Sequence, residues 1–310
     1  YCCANKLAGE VDLFEALKDI KSRYKIDDDR IVVRGFSMGG AAAWHFAAHY
    51  ASEWAAAAPG AGFSETPEFL NVFQNESLKP TPWEQKLWQM YDCPVYAPNF
   101  ANVPVVAYSG ENDRQKQAAD VMERALAAEG IKLPHVIGPK TGHSYHKDSI
   151  PEINAFVDKA VAKGRNRMPA KVRLATPTLK YNRQAWGTVD GLGEHWVRAT
   201  VDAEVVDDRN VRVKTSNVTA LTLDMPAGLA PVSTAGPVTV TVDGQSVLGP
   251  KATSERAWTV HLRKSGDKWK IVKSTSASGL QKRHNLQGPI DDAFMQSFLI
   301  VRPTGTPLAP

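Results

Sequence analysis

From Glu10 to Tyr24 the apolar positions Val11, Phe14, Leu17 and Ile20 recur at helical spacing, and Ile31-Val32-Val33 then forms a short apolar run that predicts a buried strand. The alternation continues downstream. Ala41 to His49 is alanine-rich and helical, Trp54 to Ala58 and Val103 to Tyr108 are apolar runs, Ala118 to Glu129 is again helical, and His135-Val136-Ile137 is a fourth short run. Helices alternating with apolar strands predict a parallel sheet covered on both faces. Between the second and third runs, Phe63 to Phe100 is rich in Trp, Pro and Asn without a strand period, and it reads as an insertion over the sheet edge.

After Lys171 the period changes to two, in Trp196 to Val201, Val211 to Lys214, Val238 to Val242 and Trp258 to Leu262. Asp243-Gly244 and Ser265-Gly266-Asp267 supply hairpin turns between such runs. The chain therefore predicts an α/β unit over residues 1–168 and an antiparallel β-sandwich-like module over residues 169–310, meeting at Lys163 to Pro169. Phe298-Leu299-Ile300-Val301 reads as one more, fully buried strand.

Composition changes this picture little. The 310 residues suit roughly two domains. Hydrophobic residues at 43% and charged residues at 23% are ordinary for a globular chain and point away from disorder or a membrane protein. The net charge of +4 is scattered rather than gathered into a basic stripe, so nucleic acid is not an expected partner. Tyr1 to Lys6 lacks the basic-then-apolar order of a signal peptide. Three cysteines form neither a disulfide framework nor paired metal-ligand spacing, so idle thiols are expected, with a bridge from Cys93 to the Cys2-Cys3 pair as the alternative.

The chemistry enters at Gly35-Phe36-Ser37-Met38-Gly39, a Gly-x-Ser-x-Gly elbow placed between a predicted strand and a predicted helix. Such a turn lifts the serine hydroxyl above the sheet, and its glycines remove side chains where strand and helix crowd. A serine hydroxyl is a weak nucleophile, so it needs a histidine base and a carboxylate to orient that base. Asp113, with Glu111 as runner-up, follows the strand ending at Tyr108, and His143, ahead of His146, follows the strand at Val136. Both lie at strand carboxyl ends, where open α/β sheets place their sites. The backbone N–H of Met38 is the expected first oxyanion donor. The second normally comes from a loop after an earlier strand. Only one helix and one strand precede Ser37, so the sheet reads as lacking its N-terminal strands, with an unpaired edge that would favour association.

Other features have blander readings. The Asp27-Asp28-Asp29 run reads as a solvated turn, and His45 and His49, four apart without the glutamate of a zinc motif, read as ordinary helix residues. Asn75-Glu76-Ser77 and Asn217-Val218-Thr219 fit the glycosylation triplet, which matters only in a eukaryotic secretory host. Trp83, Trp88 and Tyr91 either line a substrate cleft or pack within the insertion.

At Arg34 to Gly40, Tyr108 to Asp113 and Gly138 to His143 the sequence resembles the prolyl oligopeptidase-like branch of the α/β-hydrolases, over roughly residues 5 to 165. The resemblance implies an α/β-hydrolase fold, a triad of Ser37, Asp113 and His143, and an exported enzyme, secreted or periplasmic. The family's propeller domain is not visible here. Leu286 to Pro303 is similar to a linker that follows the β module in large bacterial members.

Together these readings predict a serine hydrolase that cleaves a small peptide or carboxylic ester through an acyl-enzyme, without metal or organic cofactor. A carbohydrate esterase of acetyl or feruloyl type is the near alternative, since the same triad serves both. A non-catalytic carbohydrate- or protein-binding protein is the distant one.

Overall fold

The computed structural model describes residues 5–276, 279–288, 290, 297–302 and 304–305. Strands β1 (Val32–Phe36), β2 (Ala56–Gly60), β3 (Ala107–Gly110) and β4 (His135–Gly138) form one parallel sheet in that spatial order. Helices α1 (Ala8–Arg23), α2 (Met38–His49), α3 (Pro82–Trp88), α4 (Lys116–Ala128) and α5 (Ser149–Lys163) accompany it.

The central strands β2 and β3 are buried along their whole length and are covered on both faces. Val33, Ala57 and Ala107 face α2 and α4, packing with Trp44, Phe46, Met122 and Leu126. Their chain neighbours Ala58, Val106 and Tyr108 point the other way, onto Ile153 and Val157 of α5. Small side chains on both α2 and β2 let helix and strand approach closely.

The second half of the chain builds two five-stranded sheets. Its strands are β5 (Lys171–Thr176), β6 (Arg183–Gln184), β7 (Gly187–Leu192), β8 (Ala199–Asp207), β9 (Asn210–Ser216), β10 (Val218–Met225), β11 (Thr239–Val242), β12 (Gln245–Leu248), β13 (Trp258–Ser265) and β14 (Lys268–Val272). The orders are β14-β13-β10-β7-β6 and β12-β11-β9-β8-β5. One sheet's Leu174, Val201, Val213 and Val240 share a core with the other's Val189, Leu221, Val260 and Leu262. Pairing is antiparallel apart from β9 with β11, which run parallel.

Three expectations change. The run Trp196 to Val201 enters its strand only at Ala199, because Trp196 adopts φ 67° and packs against the α/β core instead. Phe298, Leu299, Ile300 and Val301 are 56%, 87%, 74% and 81% exposed and lie in no strand. An apolar run becomes a buried strand only where a sheet edge receives it, and none does so among the described residues.

The predicted insertion does not lie wholly over the sheet edge. Its last part is a 3₁₀ run, Cys93–Asn102, wedged between α2 and β5. There Asn99 donates to the carbonyls of Ala48 and Ala175 and accepts from the Ala175 N–H, so a carboxamide replaces a strand partner.

Cys93 is a free, buried thiol, while Cys2 and Cys3 fall outside the described residues, as do Pro289, Asp291 to Gln296 and Pro303 of the linker-like stretch. The Asp27 to Asp29 turn is largely exposed yet does structural work. Asp28 pairs with Lys21 at 2.7 Å, and Asp29 receives Arg167 at 2.6 Å from the junction between the two halves.

Candidate active site

β1 ends at Phe36 and α2 begins at Met38, leaving Ser37 alone between them with φ 55° and ψ −118°. A residue with a side chain seldom holds positive φ, so the strain marks a turn fixed by its surroundings. Packing explains it. A Cβ at Gly35 would lie 2.2 Å from the Gly39 carbonyl oxygen, and one at Gly40 would lie 2.1 Å from that of Gly60. Gly39, by contrast, has open space where its side chain would be. Close approach therefore demands the first glycine of the motif and the glycine beyond it, and the spacing alone did not reveal the second.

The elbow, the β3–α4 loop and the β4–α5 loop converge at one end of the sheet. His143 Nε2 lies 2.7 Å from Ser37 Oγ, and its Nδ1 lies 2.8 Å from Asp113 Oδ2. A carboxylate only accepts, so Nδ1–H donates to Asp113 and Nε2 is left to accept the serine proton. The Asp113 side chain is 4% exposed and that of His143 41%, which leaves a buried carboxylate behind a more open imidazole. Gln115 N–H donates to the other Asp113 oxygen and fixes the carboxylate plane. Phe36 packs against the imidazole, ring centroids 4.9 Å apart.

The runners-up face elsewhere. Glu111 accepts the Lys140 N–H at 2.6 Å, pinning one loop to the other. The His146 backbone N–H donates to Tyr108 Oη, and its ring nitrogen accepts from the Asp148 N–H. Met38 opens α2, so its N–H is among the helix-start amides that lack an intrahelical acceptor, and the helix dipole favours negative charge there.

Residues 5–163, just over half of the chain, match the prolyl oligopeptidase family. The chain belongs to that family. The matched part of this prolyl oligopeptidase relative contains the four-stranded sheet and all three residues of the hydrogen-bonded line. Solved structures similar to it include a protein described as a dipeptidyl aminopeptidase IV from Bacteroides ovatus, 13% identical with a TM-score of 0.43, where 52% of this chain covers 23% of that one. A ferulic acid esterase is 17% identical, TM-score 0.40, with 49% and 61% covered. A puromycin-hydrolyzing peptidase from Mycobacterium tuberculosis is 19% identical, TM-score 0.40, with 47% and 24% covered. The chain thus spans less than two thirds of each of these proteins. No curated protein matches it.

His45 and His49 belong to a separate, buried cluster. His45 Nε2–H donates to Glu10 Oε2 at 2.7 Å, and Tyr50 and Tyr181 hydroxyls donate to the same carboxylate at 2.8 Å each. Burial raises Glu10, but these three donors outweigh it and hold the carboxyl below its ordinary value, while burial pushes His45 down. His49 Nδ1–H donates to the His45 carbonyl. Each imidazole thus commits one ring nitrogen within the protein, while His45 Nδ1 and His49 Nε2 are buried without a hydrogen-bond partner.

Both glycosylation triplets have engaged asparagines. Asn217 donates to the Glu194 and Val197 carbonyls, and Asn75 accepts from Arg114. Of the aromatics read as lining a cleft or packing within the insertion, Trp83 is 65% exposed on α3 and Tyr91 packs against the buried His45. At the elbow itself Phe36 packs on His143 and Tyr145, and Phe63 follows Gly62, whose backbone meets the Ser37 carbonyl.

Proposed function

We propose that the chain hydrolyses a carboxylic ester or peptide bond with Ser37 as nucleophile, His143 as general base and then acid, and Asp113 as the orienting carboxylate. The observation that carries this reading is the continuous hydrogen-bonded line from Ser37 Oγ through both imidazole nitrogens to a buried Asp113. In the first step Oγ bonds to the carbonyl carbon while its proton passes to His143 Nε2. The carbonyl π pair moves onto oxygen, where the Met38 N–H at the start of α2 supports the charge. Collapse breaks the bond to the leaving group, which takes the proton from His143. Water then repeats the sequence on the acyl-enzyme and frees Ser37.

Labelling with a fluorophosphonate tests the reading. The folded chain is expected to label, and Ser37→Ala to lose the label with its fold unchanged. A folded chain that does not react would overturn it.

A further inference from the structure

Three side chains with metal-binding chemistry meet where α4 lies against the amino end of β4. Asp120 and Glu123 stand one turn apart on α4 and so share a face of the helix. His135 opens β4. Its neighbour Val136 points onto α5, so the alternation of the strand aims His135 the other way, toward α4. One oxygen of each carboxylate and a ring nitrogen of His135 all lie within 4.8 Å of one another. His135 Nδ1 is 3.9 Å from Asp120 Oδ1 and 3.9 Å from Glu123 Oε2, too far for a hydrogen bond to either.

Burial and orientation set this group apart from a surface ion pair. The His135 side chain is only 7% exposed, and its Nε2 lies 3.0 Å from Oγ of Ser109, a fully buried residue of β3. When Nε2–H donates to the serine, Nδ1 carries a lone pair aimed between two carboxylates that can only accept. A cation is what satisfies all three. Lys116 Nζ sits on Asp120 Oδ1 at 2.6 Å, so the spot already draws positive charge, yet Glu123 is left without a lysine or arginine partner among the described residues. Ligand atoms held at about 2.0–2.2 Å from one ion stand at most about 4.4 Å apart. Both 3.9 Å separations meet that limit, and Glu123, with its side chain 56% exposed, is free to swing in and close the third.

We propose that Asp120, Glu123 and His135 bind a divalent transition-metal ion such as Zn²⁺, with water completing its coordination. One imidazole beside two carboxylates suits Zn²⁺, whereas Mg²⁺ and Ca²⁺ prefer oxygen ligands alone. Ser109 is the positioning residue, holding the imidazole through its other nitrogen as outer partners of metal-bound histidines do. The ion takes no part in bond cleavage. It ties α4, which follows the Asp113 loop, to β4, which leads into the His143 loop, and so braces the two elements between which the hydrogen-bonded line is strung. The site stands independently of the hydrolase reading.

Titration calorimetry with Zn²⁺ on the full chain, first stripped with EDTA, tests the site. One equivalent should bind with a Kd of about 1 μM. Glu123→Gln alters an exposed side chain and should fold as wild type does, yet it should weaken binding at least about tenfold, and Ser109→Ala should do so about tenfold. Lys116→Gln removes the competing charge and should tighten binding about threefold. Zn²⁺ should also raise the thermal midpoint of wild type but not that of Glu123→Gln, and Mg²⁺ at the same concentration should raise neither. A folded wild-type chain that takes up no Zn²⁺ would overturn the proposal. Equal affinity in wild type and Glu123→Gln would overturn it as well, because the ion would then sit on other histidines.

Discussion

Asp113 and Glu111 leave the same strand two residues apart, and what each faces separates them. Asp113 is buried behind His143 with both oxygens occupied, whereas Glu111 spends an oxygen on the Lys140 N–H at the surface. The two substitutions should therefore diverge. Asp113→Asn keeps the volume but removes the acceptor that selects the Nδ1–H tautomer, and kcat on a nitrophenyl ester is expected to fall by about 10⁴. Glu111→Gln still offers an oxygen to Lys140, and its kcat should stay within about threefold of wild type. If Glu111→Gln were the more damaging, the acid would have to be reassigned. Ser37 itself could be read from sequence because the turn it occupies is strained and glycine spacing advertises that strain. Gly40 could not, since its requirement comes from the Gly60 carbonyl on the neighbouring strand.

Within the insertion, the π-helical turn Phe69–Phe73 is capped by buried carboxylates, and this makes its stability depend on pH. Glu65 accepts the N–H groups of Glu68 and Phe69, and Asp92 accepts both the N–H and hydroxyl of Thr66. Burial nevertheless dominates and pushes Glu65 up from 4.5 to about 7 and Asp92 from 3.8 to about 6. An acid raised on folding binds its proton more tightly in the native state, so its contribution is fully present below the ordinary value and is lost as pH rises through the raised one. Wild type should consequently lose stability relative to Glu65→Gln between about pH 4.5 and 7.5, read from urea midpoints of both proteins. A wild-type-minus-variant difference that stays constant across that range would show that Glu65 does not titrate there. Sequence reached this region only as an irregular insertion, because its order comes from caps rather than from a repeating apolar pattern. The sheet's strands and helices were legible for the opposite reason, each having a face or run of its own. Phe298 to Val301 shows the limit, since apolarity names a strand without naming an edge to receive it.

The two halves of the molecule are joined by buried polar contacts that no local pattern announces. Glu10 near the start of the chain accepts from Tyr181, 171 residues later, and Gln184 donates to the His49 carbonyl while accepting from Ser52 N–H. Tyr181 and Trp196, although they belong to the β half, pack with the α/β core. Asn99 is fully buried between Ala48 of α2 and Ala175 of β5 and bridges the halves with three hydrogen bonds. An interface with this much buried complementarity should make unfolding cooperative across both halves, unlike the loosely coupled domains that polar surfaces give. Asn99→Ala would leave two carbonyls and one N–H buried without their partner. Each orphaned group costs about 1–3 kcal/mol, partly relieved by relaxation, so a loss of about 2–4 kcal/mol is expected. Calorimetry should show a single transition in wild type that moves down as a whole in the variant. Two transitions, with only one displaced, would mean that the β half folds independently and that Asn99 stabilises the hydrolase half alone.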